Sequence, residues 1–474
     1  MENNRWLTIE NLAPLIRRKE ISPVELTQFF LERISRLQPI LNAYITITAQ
    51  TALAQARQAE KEILKGRYRG ILHGIPISLK DLYCTRGIRT TAGSNILKRH
   101  YPKENAVAVD RLLQAGCVLL GKTNLHEFAY GPTNLNPHYG PVHNPWDPSH
   151  ISGGSSGGSA ASVISAQAVA ALGTDTGGSI RIPAAACGCV GLKPSFGRVS
   201  LEGIIPLAPS LDHAGPLCRS VTDAALLLDA VAHPFPGKNS GKPFSQNIRR
   251  GIPSLRVGIP RQFFFNRIQA QVKKAVLAAI AEFEKLGAEI VEVNLKRMQH
   301  TTRIAAQITG DEAMAYHEKW LEKRPQDYGR DVRIRLAQSK KSTATAYIRA
   351  LQEMESYGQG LLRAMDKVHV MATPTLPMAA PTIREAEIGT GKPGGDIRTA
   401  LLNLTRPANL SGFPAISLPC GFSSKGLPIG LQLIGRPWDE ATLLRAAYAY
   451  EQATPWHERF PKDPVAGRRS QVAR

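Results

Sequence analysis

The sequence predicts an α/β fold in which a β-sheet is covered by helices. Three observations carry that prediction. Short apolar runs recur from Ile71 onward, patterns of helical period separate them, and 43% of the 474 residues are hydrophobic, enough for a sizeable core.

The elements follow in order. Ser22-Pro23-Val24-Glu25 supplies an N-cap, a proline at the first helical position and an early acid, and Leu26, Phe29, Phe30, Ile34 and Leu37 then fall on one helical face. A second helix is expected from Thr48 to about Lys65, closed by Gly66. Strand-like runs occupy residues 75–79, 118–120, 168–172, 257–259, 290–293, 368–371 and 429–434, with helical patterns at 105–114, 221–231 and 269–286. Residues 234–253 and 382–398, the latter containing Gly389-Thr-Gly-Lys-Pro-Gly-Gly395, predict exposed excursions. No internal repeat is present.

Composition narrows the function classes. The start, MENNRWLTIENL, lacks the basic and apolar regions of a secretory signal, and no window is long and apolar enough to span a membrane, so a soluble cytoplasmic protein is expected. The six cysteines form no CxxC pair, and Cys187-Gly188-Cys189 reads as buried small side chains rather than a metal or redox pair. Lys and Arg outnumber Asp and Glu by 59 to 38, for a net charge of +21. The basic residues are dispersed, with local groups only at Arg17-Arg18-Lys19, Lys340-Lys341 and Arg468-Arg469, which indicates a generally basic surface and not a dedicated nucleic-acid site.

Two motifs match by letter and fail by context. Gly116-Cys-Val-Leu-Leu-Gly121-Lys122-Thr123 fits the P-loop pattern, but its middle residues are themselves strand-like, so they cannot wrap a phosphate. Gly153-Gly-Ser155-Ser-Gly157 fits the nucleophile elbow, but no hydrophobic strand runs into it.

A different constellation survives. The uncharged stretch SGGSSGGSAAS, residues 152–162, runs into a small-residue helix, which suits close packing better than a flexible linker. A second Gly-Ser element follows, Gly173-Thr-Asp-Thr-Gly-Gly-Ser-Ile-Arg-Ile-Pro183, in which the N–H groups of Thr176, Gly177, Gly178 and Ser179 could converge as an oxyanion hole. A serine nucleophile needs a base, and Lys80, at the end of an apolar strand, can serve if burial keeps it neutral. Its other reading is a solvated lysine paired with Asp81.

The order Lys80, Ser155, Ser179, with the GGSSGGSA and DTGGSIR blocks, closely resembles the amidase signature family of Ser-cisSer-Lys hydrolases. The likeness extends to His73-Gly-Ile-Pro-Ile-Ser-Leu-Lys-Asp81, Gly121-Lys-Thr-Asn124, His143-Asn-Pro-Trp146, Gly191-Leu-Lys-Pro194, Leu211-Asp-His-Ala-Gly-Pro216 and Gly426-Leu-Pro-Ile-Gly-Leu-Gln432. It implies an amidase signature fold, with a central mixed β-sheet covered by helices on both sides. It also implies a single domain over residues 1–474: an N-terminal helical part (1–66), a signature core (67–232), a variable specificity part (233–403), a C-terminal part of the core (404–460) and a basic flexible tail (461–474). Only residues 235–403 match loosely, so specificity is expected there, in the helical stretch 343–365 and the loop 373–377.

By the same resemblance Ser179 is the acylated nucleophile, Ser155 relays the proton, neutral Lys80 is the base, and the peptide between Gly154 and Ser155 is cis. Thr176, Gly177 and Gly178 serve the oxyanion and substrate. Ala129 lines the acyl side, Ser156 makes a structural hydrogen bond, and Asp175 with Arg181 braces the second loop. The reaction implied is hydrolysis of a small-molecule carboxylic amide through an acyl-enzyme, with no metal or organic cofactor; a homodimer is compatible with it. Three departures, the stretch His126-Glu-Phe-Ala-Tyr-Gly-Pro-Thr133, Ile182 and His213, look like general amidases, so a free-standing amidase is expected ahead of the alternative, the glutaminase subunit of a tRNA-dependent amidotransferase. Ile182, Ile204 and Leu207 point to an apolar acyl group.

Overall fold

Ser22 caps the helix Pro23–Leu41 by accepting hydrogen bonds from the N–H groups of Val24 (3.0 Å) and Glu25 (3.2 Å), and Asn42 ends it in the left-handed conformation at φ 51°. Leu26, Phe30, Ile34 and Leu37 are buried as the periodicity requires. The computed structural model describes residues 7–233, 242–295, 298–388 and 397–462. The expected second helix is Ala49–Leu64, followed by Gly66 at φ 78°. An earlier helix, Ile9–Arg17, is capped by Thr8 and docked by Asp223, whose carboxylate accepts from the N–H groups of Ile9 and Glu10.

Among the described residues eleven strands form one mixed sheet: β1 (Tyr44–Ile47), β2 (Pro76–Lys80), β3 (Val118–Thr123), β4 (Ala170–Thr174), β5 (Val190–Lys193), β6 (Ala214–Cys218), β7 (Arg256–Ile259), β8 (Glu289–Glu292), β9 (Val370–Pro374), β10 (Ala415–Phe422) and β11 (Pro428–Gly435). Their order is β1-β3-β2-β4-β6-β5-β10-β11-β9-β7-β8. β2 runs parallel to both β3 and β4, and β7 runs parallel to both β8 and β9, while the central pairs from β4 to β11 are antiparallel. Helices cover both faces, as an α/β sheet with two apolar sides demands.

The small residues at the centre have a packing cause. A Cβ on Gly191 of β5 would lie 2.6 Å from that of Ala184, and one on Gly215 of β6 would lie 2.2 Å from the Leu192 carbonyl oxygen. The helix Gly157–Ile164, buried along its whole length, and the helix Arg181–Cys187 approach this part of the sheet.

The P-loop match lies inside secondary structure. Gly116, at φ 84°, follows the helix Val107–Gln114, and Lys122 is buried within β3, donating to the Tyr83 carbonyl and to Thr90 Oγ1 (2.8 Å) with Asp81 at 3.5 Å. No strand runs directly into Ser155 among the described residues. The six cysteines are free. Among the described residues no helix is long and apolar enough to cross a membrane. Part of the second excursion differs from expectation, since residues 383–388 and 397–403 are helical. Residues 234–241 of the first excursion, the glycine-rich run 389–395 and the tail from 463, with Arg468 and Arg469, lie outside the described residues.

Candidate active site

Lys80 is the last residue of β2, a strand buried on both faces, so its side chain has no route to solvent. Its Nζ lies 2.7 Å from Ser155 Oγ and 2.7 Å from Thr174 Oγ1. Burial lowers the Lys80 pKa to about 7, against the opposing pull of Asp212 and Asp175. Asp81 turns away from it, accepting from Thr91 and facing Lys122, so the surface pair of Lys80 with Asp81 does not form.

Ser155 stands in the loop before the helix Gly157–Ile164, and the Gly154–Ser155 peptide is cis. Its neighbour Ser156 bridges to β4: Ser156 Oγ donates to the Thr174 carbonyl (3.1 Å) and accepts from the Thr174 N–H (3.3 Å). The Ser156 N–H donates to the Ser179 carbonyl (3.1 Å), which ties the two Gly-Ser loops together.

Ser179 follows β4 and lines a small cavity of about 30 Å³ together with Ala129, Tyr130, Thr176, Gly177 and Leu207. Asp175 organises its loop from within, accepting from the N–H groups of Gly178 (2.7 Å) and Ile180 (3.1 Å) and from Arg181 Nε (3.1 Å) and Nη2 (3.0 Å). Burial would push the Asp175 carboxyl up, but the Arg181 guanidinium overrides it and holds the group well below the usual carboxylate range. Arg181 also donates to the Thr405 carbonyl, Gln432 and Asn409. The pair is fully buried.

Gly178 departs from the sequence expectation. Its N–H is taken by Asp175, and it does not line the cavity; its φ of 132° and a site where a Cβ would fall 2.2 Å from Thr405 Oγ1 explain the glycine instead. Thr176, Gly177 and Ser179 do line the cavity, and their N–H groups have no partner among the described residues. Ala129 lines it too, following Phe128 at positive φ (48° and 58°), a conformation two successive non-glycine residues rarely adopt.

The family model described as Amidase matches residues 25–444. The chain belongs to the amidase family. Among its relatives, the glutamyl-tRNA(Gln) amidotransferase A-subunit of Thermosynechococcus vestitus is 39% identical over 485 residues, covering 96% of this chain and 99% of its own. A solved amidase-family fold, 6-aminohexanoate cyclic dimer hydrolase complexed with substrate, has a TM-score of 0.88 at 30% identity over 96% of this chain and 99% of that one. The glutamyl-tRNA(Gln) amidotransferase A-subunit of Thermotoga maritima has a TM-score of 0.79 at 32% identity over 97% and 98%. The sequence relatives thus carry the name of the alternative reading and not that of the free-standing amidase put first.

The three departures differ in whether they reach the cavity. Ile182 is buried against Ile151, Ala185 and Leu402 and does not line the cavity. His213 is buried edge-on to Phe196, with Nδ1 2.7 Å from the Leu211 carbonyl, and it does not line the cavity either. Of the three only the first reaches it, through Ala129, Tyr130 and Gly131, as does Leu207 of the apolar trio, while Ile204 does not. Sequence reasoning missed Thr174 beside Lys80. It missed Asp212, which accepts from Thr176 Oγ1 and from the N–H groups of Leu207 and Ala208, and whose carboxyl burial raises to about 6. It also missed Arg398, Leu402 and Arg406 on the cavity wall. For Arg406 the available signal was a lone charge in the otherwise uncharged run from residue 399 to 424.

Proposed function

We propose that the chain cleaves a carboxamide by acyl transfer, with Ser179 as nucleophile, Ser155 as proton relay and Lys80 as base. The observation that carries this reading is the 2.7 Å contact between a fully buried lysine amine and Ser155, in a loop tied to that of the cavity-lining Ser179. With its pKa lowered to about 7, the amine is substantially neutral at neutral pH and can accept the Ser155 hydroxyl proton. As Ser179 Oγ bonds to the carbonyl carbon, its proton passes to Ser155 and that of Ser155 to Lys80. The N–H groups of Thr176, Gly177 and Ser179 suit the developing oxyanion. Return of the proton through Ser155 to the leaving nitrogen accompanies C–N cleavage, and water activated along the same path hydrolyses the ester.

For the amide itself, the relatives support glutamine and a role as the glutaminase subunit of a tRNA-dependent amidotransferase, with ammonia passed to partner subunits. The free-standing amidase remains a second reading, favoured by the higher TM-score to the cyclic dimer hydrolase than to the Thermotoga protein, 0.88 against 0.79. Six free thiols suit a reducing cytoplasm in either case. The experiment is ammonia release by the purified chain from glutamine and from other carboxamides, with and without amidotransferase partner subunits and with Ser179→Ala as control. Activity that is confined to glutamine or requires the partners supports the amidotransferase role; partner-independent turnover of other amides supports the free-standing enzyme; a Ser179→Ala protein as active as the parent would overturn both.

A further inference from the structure

The described residues include four buried arginines, Arg181, Arg198, Arg219 and Arg406. Three are partnered inside the protein: Arg181 with Asp175, Arg198 with Glu440, and Arg219 with the Ile164 carbonyl and the Phe460 ring. Arg406 is only 5% exposed, and among the described residues it makes no hydrogen bond and no ion pair. A guanidinium taken out of water without a counter-charge is costly, and a fold that keeps one does so most economically where a ligand supplies the anion.

Its position says which ligand. Arg406 lies on the wall of the cavity that holds Ser179, with its Nε 3.9 Å from where a Cβ on Gly177 would sit, beside the loop whose amides face the scissile carbonyl. Arg398, its guanidinium 5.7 Å from the Tyr130 ring centroid, lines the same cavity. Burial and the Arg398 charge lower the Arg406 pKa to about 9, so it stays cationic at neutral pH. The described lining residues contribute no carboxylate, and Leu207, Ala305 and Leu402 make the rest of that wall apolar.

We propose that the amide substrate carries a carboxylate on its acyl portion, separated from the carboxamide by a short apolar chain, and that Arg406 binds this carboxylate. The substrate class is the monoamide of a short dicarboxylic acid. Glutamine belongs to it with one addition, an α-ammonium, for which the described lining residues offer no acidic partner. The proposal rests on the amide-cleaving reading of the same site and adds to it what the acyl group must bear. A planar guanidinium is suited to the task because it can meet both carboxylate oxygens at once.

The test compares glutaramate with its neutral counterpart valeramide, and with glutamine, as substrates of the full chain, and measures binding of glutarate to Ser179→Ala by calorimetry. The wild type should prefer glutaramate to valeramide by about 100-fold or more in kcat/KM. Glutamine should be no better than glutaramate. Arg406→Gln should collapse that preference and abolish glutarate binding, and Arg406→Lys should restore part of both. If valeramide is cleaved as well as glutaramate, the proposal fails while amide cleavage stands. If nothing is cleaved even with amidotransferase partner subunits added, but glutarate binds Ser179→Ala and not the additional Arg406→Gln variant, the carboxylate site stands and the reaction assigned above fails. Absence of glutarate binding overturns the site whatever the turnover.

Discussion

Lys80 Nζ and Ser155 Oγ are 2.7 Å apart, and neither side chain reaches solvent. A lysine so placed is expensive as a cation and useful as an amine. Replacing it with Met, which fills similar space without the amine, should lower kcat about 10⁴-fold or more while the melting temperature does not fall. Steady-state kinetics beside a thermal melt separates the two effects. A Lys80→Met protein retaining most of its rate would remove Lys80 from the chemistry.

The pH dependence follows from the same burial. The base works only when unprotonated, and its pKa is lowered to about 7, so log kcat/KM should rise with a slope near one below about pH 7 and level off above it. Where chemistry limits the rate, a profile that declines between about pH 6 and 8 contradicts the assignment.

Asp175→Asn keeps the shape of the loop brace and removes its charge. Arg181 would then be left buried without its counter-ion, a loss of about 3–5 kcal/mol in a group that is fully enclosed. Chemical denaturation should report that loss, and activity should fall with it because the Ser179 loop loses one of its two internal acceptor oxygens. Stability equal to the parent would show that Asn409 and Gln432 suffice to hold the guanidinium.

Gly178→Ala tests the backbone. The added methyl meets Thr405 Oγ1 and the residue must hold φ 132°, so the substitution should cost about 1–3 kcal/mol and lower kcat by distorting the loop that carries Ser179. Pairing it with Thr405→Ser, which leaves the hydroxyl in place, should give little rescue, whereas Thr405→Ala should recover part of the stability if the clash is the main cause.

Legibility varied with the kind of signal. The Pro23–Leu41 helix and apolar strands such as β2, β3 and β11 could be read because burial marks them in the sequence, although β10 was not read. β5 and β6 were not read as strands, because Gly191 and Gly215 are set by how closely neighbouring backbone approaches, and that erases the apolar run. The Lys80, Ser155 and Ser179 positions were legible through family likeness, since nothing local marks a lysine as buried. Three-dimensional neighbours such as Thr174, Asp212 and Arg406 carry no local spacing at all. Gly178 was read with its N–H free, because which N–H the Asp175 carboxylate claims depends on the turn and not on the composition.

The Arg181 contacts have a consequence for when the enzyme becomes active. Lys80, Ser155 and Ser179 all lie in the first half of the chain, but the guanidinium that steadies the Ser179 loop is held by Thr405, Asn409 and Gln432. A nascent chain that has emerged only as far as residue 233 contains all three residues proposed to react and none of these anchors. Closure of so long a loop comes late in folding. Competence to react is therefore delayed until synthesis is nearly finished, and a truncated product should be inert even though its signature motifs are intact.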